Sequence, residues 1–238
     1  MDFNKGVTDS KGSTSGSDAG SSGGKKNNSN GVLWLLSRFW YVVLVLVVVV
    51  GGLVVWSVQM RAVDDVWKKA ADDYGKADYE AASKLIEDMP IPSDEKRLTM
   101  YAQTMLATRQ HDKALPAYEK LYAMKKDPAV KIIIGNIYNE QKKYDEAAKT
   151  YGSIISSNAS FIQAYVNLAT LYKLQGKTED SVRVARQGVE ANPNSVTLYE
   201  LLVSMLLEDK TSAEYKDAVA KLKKLNPSDP LLESLKNK

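Results

Sequence analysis

The sequence lacks cysteine entirely and contains one histidine, His111, among its 238 residues. The absence of cysteine excludes disulfide bonds, thiolate metal sites and a cysteine nucleophile. A single histidine makes a histidine-based metal site or a Ser-His-Asp triad within one chain unexpected. His111 lies beside Asp112 in an expected turn between two helices, where a surface or helix-start position accounts for it.

Other signs of catalysis and of nucleic-acid binding are also missing. The 32 basic and 29 acidic residues give a net charge of +3, so no excess of basic charge points to nucleic acid. The sequence has no phosphate-binding loop, dinucleotide fingerprint or zinc-hydrolase motif. Acidic pairs such as Asp64-Asp65 are neighbours in sequence, and neighbours do not face one another on a helix. We therefore expect no catalytic residue, cofactor or metal, and no enzymatic activity.

The N-terminal segment, 1–31, has a distinct composition. Ser, Gly, Asn, Asp and Lys dominate it, and Phe3 and Val7 are almost the only large apolar side chains. Such a segment cannot bury enough apolar surface to offset the entropy lost on ordering. The composition predicts a disordered N-terminal tail.

Residues 32–60 form the one long apolar stretch of the sequence. No residue between positions 39 and 58 is charged, and a helix of about 20 residues spans the roughly 30 Å of the hydrocarbon core. Trp40 and Tyr41 lie near one end and Trp56 near the other, as aromatic residues do at membrane interfaces. The pattern predicts a transmembrane helix at 32–60, with residues 39–58 as the part within the membrane.

A cleaved signal peptide is the alternative for this stretch. Its apolar region would be about 7–15 residues long and would end in a small-x-small cleavage site. Here the run is longer and continues through Trp56, Ser57 and Val58 to Gln59, Met60 and Arg61, which favours an uncleaved anchor.

The flanking charges give an expected orientation. Lys25, Lys26 and Arg38 precede the apolar stretch, whereas Arg61 follows it with acidic residues close behind. Two later lysines reduce the contrast, because the rule counts basic residues and largely ignores acidic ones. We expect the N-terminus in the cytoplasm and the C-terminal region in the periplasm or outside the cell.

The C-terminal region repeats itself at a fixed period. The segment Ile134 to Tyr138 aligns with Leu168 to Tyr172, and the same shift carries Pro193 to Pro227. Small residues such as Gly135 and Ala169 let paired helices approach closely, and large ones such as Tyr151 fill the gaps. A single helix pair cannot bury both faces, so several pairs must stack.

This pattern resembles the tetratricopeptide repeat family, whose period is about 34 residues. The match is strongest over residues 128–161 and 162–195 and weaker over 196–229, and earlier units extend it back to residue 61. The resemblance implies an all-α solenoid of about four to five helix pairs at 61–229, with a concave groove and a capping helix at 230–238. The predicted order is therefore disordered tail, transmembrane helix, repeat domain and cap.

Some members of the family hold a C-terminal carboxylate with a clamp of lysine, asparagine and arginine side chains. Asn136 and Asn167 have the spacing of the clamp asparagines, but Ile132, Thr197 and Leu201 stand where the clamp has cations. The clamp is therefore excluded, and the expected groove is mixed apolar and polar with little charge, suited to an extended peptide or amphipathic helix. The groove candidates are Ile132, Asn136, Asn139, Gln163, Val166, Asn167, Thr170, Thr197 and Glu200.

By analogy with proteins of this plan, we expect a single-pass membrane-anchored scaffold or adaptor that binds protein partners in envelope or translocon-associated assembly. One alternative is an anchored receptor for protein import or targeting that faces the cytosol. Another is a non-catalytic subunit of a larger membrane enzyme complex. The expected partners are a protein and, through residues 39–58, the membrane.

Overall fold

The structure is a computed structural model that describes residues 29–236, with side chains described for 38–235. Most of the predicted tail, residues 1–28, lies outside the described residues. The described part is helical and contains no strand. The helices are α1 Ser29–Gly75, α2 Tyr79–Ile86, α3 Glu95–Ala107, α4 His111–Lys125, α5 Pro128–Glu140, α6 Tyr144–Ser157, α7 Ile162–Leu174, α8 Thr178–Ala191, α9 Val196–Met205, α10 Ala213–Leu225 and α11 Pro230–Lys236.

The chain divides into two units, of which the first ends at Gln59. Its described part belongs to helix α1, which begins at Ser29 and continues past the predicted limit at Met60 as far as Gly75. Between Arg38 and Gln59 the side chains are exposed or half-exposed, including Trp40 at 71% and Trp56 at 60%. By length and composition, α1 is the one helix of the described residues that could cross a membrane.

The second unit, Met60–Lys238, is an array of paired helices. Consecutive helices pack against one another from α2 through to α10, and α7 also packs beside α5 and α9. The helices α5, α7, α9 and α11 begin at Pro128, Ile162, Val196 and Pro230, so each start follows the previous one by one repeat period. The predicted all-helical array of paired helices is confirmed.

Capping side chains set the first residues of several helices. Asp94 and Ser212 accept hydrogen bonds from the backbone N–H groups of Arg97 and Tyr215, at 2.9 and 3.1 Å. Asp127 accepts one from Ala129 at 2.8 Å, and Pro128 follows it at the first helical position. These side chains satisfy N–H groups that have no partner within the helix, and proline costs nothing where an N–H is unpaired.

The core consists of two hydrophobic clusters that meet at α5. One extends from Trp67 to Ile137 and the other from Ile132 to Leu232, and Tyr138 packs against both. Successive residues of one helix therefore serve different clusters, which links the repeats into a continuous core.

Candidate functional site

The candidates on α5 differ in how much surface they present. Asn136 and Asn139 are half-buried, and Asn139 Oδ1 has no hydrogen-bond partner among the described residues. Ile132 is only 8% exposed and belongs to the core cluster. The structure therefore corrects the expectation for Ile132: it stabilises the packing of α5 and offers little surface to a ligand.

The candidates on α7 and α9 lie at or near the surface. Gln163, Thr170 and Thr197 are exposed, whereas Val166 and Asn167 are half-buried. These residues supply amides, two hydroxyls and an aliphatic side chain. None of these five residues carries a charge.

Three of the candidates are joined by a chain of hydrogen bonds. Gln163 Nε2 donates to Asn167 Oδ1 at 2.7 Å, and Asn167 Nδ2 donates to Asn136 Oδ1 at 2.9 Å. The hydroxyl of Tyr151 also donates to Asn136 Oδ1, at 2.7 Å, and burial raises the pKa of Tyr151 to about 12. This amide chain ties α5 to α6 and α7. Asn136 and Asn167 therefore have a structural role that does not require a carboxylate clamp.

Glu200 lies near Asp229, the residue before α11. Burial raises the pKa of Glu200, and the nearby carboxylate of Asp229, with which it shares a hydrogen bond, raises it further. Asp229 is fully buried and accepts hydrogen bonds from Asn226 Nδ2 and from the Leu231 backbone N–H, both at 2.9 Å. Glu200 therefore connects α9 to the start of α11.

A cavity of about 520 Å³ lies between α3 and α5. Asn136 lies in its wall, and so does His111, whose Nε2 is 2.9 Å from Glu140 Oε2. This position at the first residue of α4 agrees with the helix-start interpretation of His111. The cavity is lined by Leu106, Ala107, Arg109, His111, Ile133, Asn136 and Glu140.

Two further cavities lie between α3 and the part of α1 that belongs to the second unit. The smaller, about 260 Å³, contains Trp67, Lys96 and Met100. The larger, about 690 Å³, has mainly apolar walls and also contains Lys96 and Met100. Its lining residues are Ala71, Tyr74, Glu95, Lys96, Thr99, Met100, Gln103 and Lys125.

Sequence reasoning missed the residues that α3 contributes to these cavities. The signal was present, because the start of α3 at Glu95 precedes the start of α5 at Pro128 by almost one repeat period. The same shift relates Met100 to Ile133 and Gln103 to Asn136. The groove candidates come from the three best-matching repeats, and extending them by one repeat adds Gln103 at the position of Asn136.

Comparison with known proteins supports the repeat assignment over part of the chain. Residues 137–235 match the tetratricopeptide repeat family. The human RanBP2-like and GRIP domain-containing proteins 4 and 8 are each 33% identical over 101 residues, which are 42% of this chain. The chain spans only 6% of the length of these curated relatives, so the likeness is confined to a segment.

Solved structures share the fold at low sequence identity. A crystal structure of MamA protein matches with a TM-score of 0.53 and 13% identity, covering 69% of this chain and 91% of that chain. MamA 41-end from Desulfovibrio magneticus RS-1 matches with a TM-score of 0.50 and 13% identity, covering 73% and 97%. Tetratricopeptide arrays are typically non-catalytic scaffolds. The helix pairs and their regular spacing thus form a tetratricopeptide-like array, and residues 137–235 of it match the tetratricopeptide repeat family.

Proposed function

We propose that this protein is a membrane-anchored scaffold that holds a protein partner on the surface formed by α3, α5, α7 and the part of α1 in the second unit. The observation that carries the proposal is the succession of solvent-open cavities along the first helices of consecutive repeats, from Trp67 to Glu140. Clefts that combine apolar walls with a few polar groups are suited to binding.

The exposed helix α1 supports the membrane part of the proposal. Isolated apolar side chains on a soluble surface are ordinary, but a contiguous apolar surface that extends from Phe39 to Val58 is not. Lipid would cover this surface, and the backbone groups of a helix are already paired within it. Such an anchor would keep the repeat domain, and any partner bound to it, at the membrane.

The finer assignment is to envelope or translocon-associated assembly, with the repeat domain in the periplasm or outside the cell. Its support is the charge distribution around α1, where Arg38 and two lysines precede the apolar stretch. In that role the protein raises the local concentration of its partner without altering it chemically.

Photocrosslinking in isolated membranes tests this function. A photoreactive amino acid replaces Gln163 or Thr170 on α7, and Lys149, which is exposed on α6, serves as the matched control. We expect specific protein adducts from the two α7 positions, in a membrane fraction that resists alkaline carbonate extraction. Adducts from Lys149 alone, or a chain released by carbonate, would refute the proposal.

A further inference from the structure

The three cavities between α1 and α5 combine an apolar floor with a charged rim. We call them the cavity row. Ala71 and Met100 form part of the floor toward α1, and Leu106 and Ile133 form part of it toward α5. The floor can bind large apolar side chains of a partner. The charges on the rim then select which residues of the partner can lie beside those side chains.

The acidic residues of the cavity row all have partners. Asp64 accepts a hydrogen bond from Arg97 Nη2 at 2.7 Å, and Asp94 accepts one from the Arg97 backbone N–H at 2.9 Å. Glu95 pairs with Lys125 at 2.6 Å, and Glu140 Oε2 lies 2.9 Å from His111 Nε2. These contacts reduce the capacity of the acidic groups to bind a cationic ligand.

Two cations of the cavity row have no partner within the described part of the chain. Lys96 is exposed and lines both cavities between α1 and α3. Arg109 is exposed at the turn after α3 and lines the cavity between α3 and α5. Besides Arg97, the other cations at the rim are engaged, Lys68 with Asp65 at 3.1 Å and Lys125 with Glu95. The charge still available to a ligand is therefore positive.

Building on the proposed function, we infer that the cavity row binds a peptide segment in which acidic residues alternate with large apolar ones. Lys96 and Arg109 are the residues that select for the acidic side chains. The guanidinium of Arg109 offers donors in a fixed arrangement that matches a carboxylate, and the ammonium of Lys96 offers a point charge. The peptide residues between the two acidic contacts would place their apolar side chains on the floor of the cavity row.

The binding surface differs in charge between its two ends. The groove candidates on α7, such as Gln163 and Thr170, are uncharged. The two unpaired cations of the described cavity row lie on α3 and at the turn that follows it. An acidic and apolar segment satisfies both cations and the floor. A lipid headgroup would satisfy the cations alone and would leave Ala71 and Ile133 uncovered.

Fluorescence anisotropy with designed peptides tests the inference. The full chain is held in an uncharged detergent and titrated into three labelled peptides of equal length, which alternate leucine with glutamate, glutamine or lysine. We expect the glutamate peptide to bind most tightly, and high salt to weaken its binding. Lys96→Gln and Arg109→Gln are each expected to weaken it about threefold, as removal of an exposed charge pair does.

The controls separate site-specific binding from general attraction to positive charge. Lys149→Gln and Lys216→Gln remove exposed cations on α6 and α10 and should leave the affinity unchanged. Circular dichroism verifies that every variant is folded. The glutamine peptide should bind the wild type and the Lys96 and Arg109 variants equally.

Each contrary result has a definite meaning. Equal affinity for the glutamate and glutamine peptides, or equal effects of the control and cavity-row substitutions, would overturn the charge selection but not the scaffold function. Failure of all three peptides to bind would overturn the peptide site. The scaffold function itself stands or falls with the crosslinks from α7.

Discussion

Gly135 and Tyr151 pack against one another where α5 crosses α6. A Cβ atom placed on Gly135 would lie 2.9 Å from Tyr151 Cδ1 and closer still to Cε1. Tyr151 is 1% exposed, and its hydroxyl is held by Asn136, so the ring has no room to move aside. We predict that Gly135→Ala lowers the free energy of unfolding by about 1–3 kcal/mol, because overpacking displaces the ring or the helix.

Gly152, on α6, provides a matched control for this substitution. Nothing lies within 4 Å of a Cβ atom built there. Gly152→Ala should therefore raise the stability by about 0.5–1 kcal/mol, the gain expected for alanine over glycine inside a helix. Urea unfolding followed by circular dichroism measures both variants. Equal effects of the same sign would show that the close approach of Gly135 is not what constrains the site.

The turns inside four of the repeats share an unusual backbone conformation. Ala77, Arg109, Lys142 and Gly176 all have positive φ, between 57° and 73°, but only one of them is glycine. A left-handed conformation costs an L-residue about 1–2 kcal/mol. Glycine avoids this cost, but it loses more conformational entropy on folding, which offsets part of the advantage.

Opposite substitutions at two of these turns are therefore predicted to have opposite effects. Gly176→Ala should lower the free energy of unfolding by about 1 kcal/mol, although nothing lies within 4 Å of the added Cβ atom. Lys142→Gly should raise it slightly or leave it unchanged. Thermal unfolding of both variants checks the prediction. If Lys142→Gly destabilised the protein as much as Gly176→Ala, the prediction would be wrong.

At the level of whole helices, the contact of Glu200 with Asp229 makes the attachment of α11 depend on pH. Burial and the carboxylate of Asp229 raise the pKa of Glu200 above its ordinary value of 4.5. Below that value the protonated Glu200 contributes its full stabilisation. As the pH rises through the raised pKa, the unfolded chain releases the proton more readily, so this stabilisation is lost.

We predict that Glu200→Gln removes most of this pH dependence and stabilises the C-terminal end at neutral pH. The amide donates to Asp229 at any pH and carries no charge to repel it. Unfolding of the full chain at mildly acidic and neutral pH compares this variant with the wild type. Glu208→Gln, an exposed position beyond α9, is the control and should follow the wild type. If Glu200→Gln showed the same pH dependence of stability as the wild type, the carboxyl pair would be excluded as its cause.

The helices were predictable from the sequence because their spacing is imposed by stacking. Each repeat must present the same small and large residues to its neighbours, so the starts of α5, α7 and α9 follow from the periodicity that Gly135 and Ala169 reveal. The surface was less predictable, because periodicity identifies a face of a helix but not which residues the next helix covers. Ile132 was expected to face a ligand and is instead 8% exposed.

The availability of charge in the cavity row was beyond sequence reasoning for a similar reason. Nothing in the sequence indicates that Asp64 on α1 pairs with Arg97 on α3, or that Glu140 lies beside His111. The groove residues expected from the sequence indicated a binding surface with little charge. Within the described cavity row, the acidic residues have partners, whereas the cations Lys96 and Arg109 have none. This difference determines the proposed partner.

For the whole molecule, the central proposal is that α1 anchors the repeat domain on the outer side of a membrane. The absence of cysteine makes its orientation measurable, because any introduced cysteine is the only thiol in the chain. Ser15→Cys places one in the N-terminal segment, and Lys216→Cys places one on the exposed surface of α10. Lys216 is exposed and does not belong to the hydrophobic core, so Lys216→Cys should retain the fold.

A membrane-impermeant maleimide applied to intact spheroplasts should label Lys216→Cys and leave Ser15→Cys unlabelled until the membrane is permeabilised. This expectation follows from the proposed orientation, in which Lys25, Lys26 and Arg38 would stay on the cytoplasmic side and the uncharged run at 39–58 would lie in the lipid. The cysteine-free parent chain measures background labelling. Labelling of Ser15→Cys alone would instead show that the repeat domain faces the cytosol, as the receptor alternative requires. Labelling of neither before permeabilisation would exclude a membrane-spanning α1.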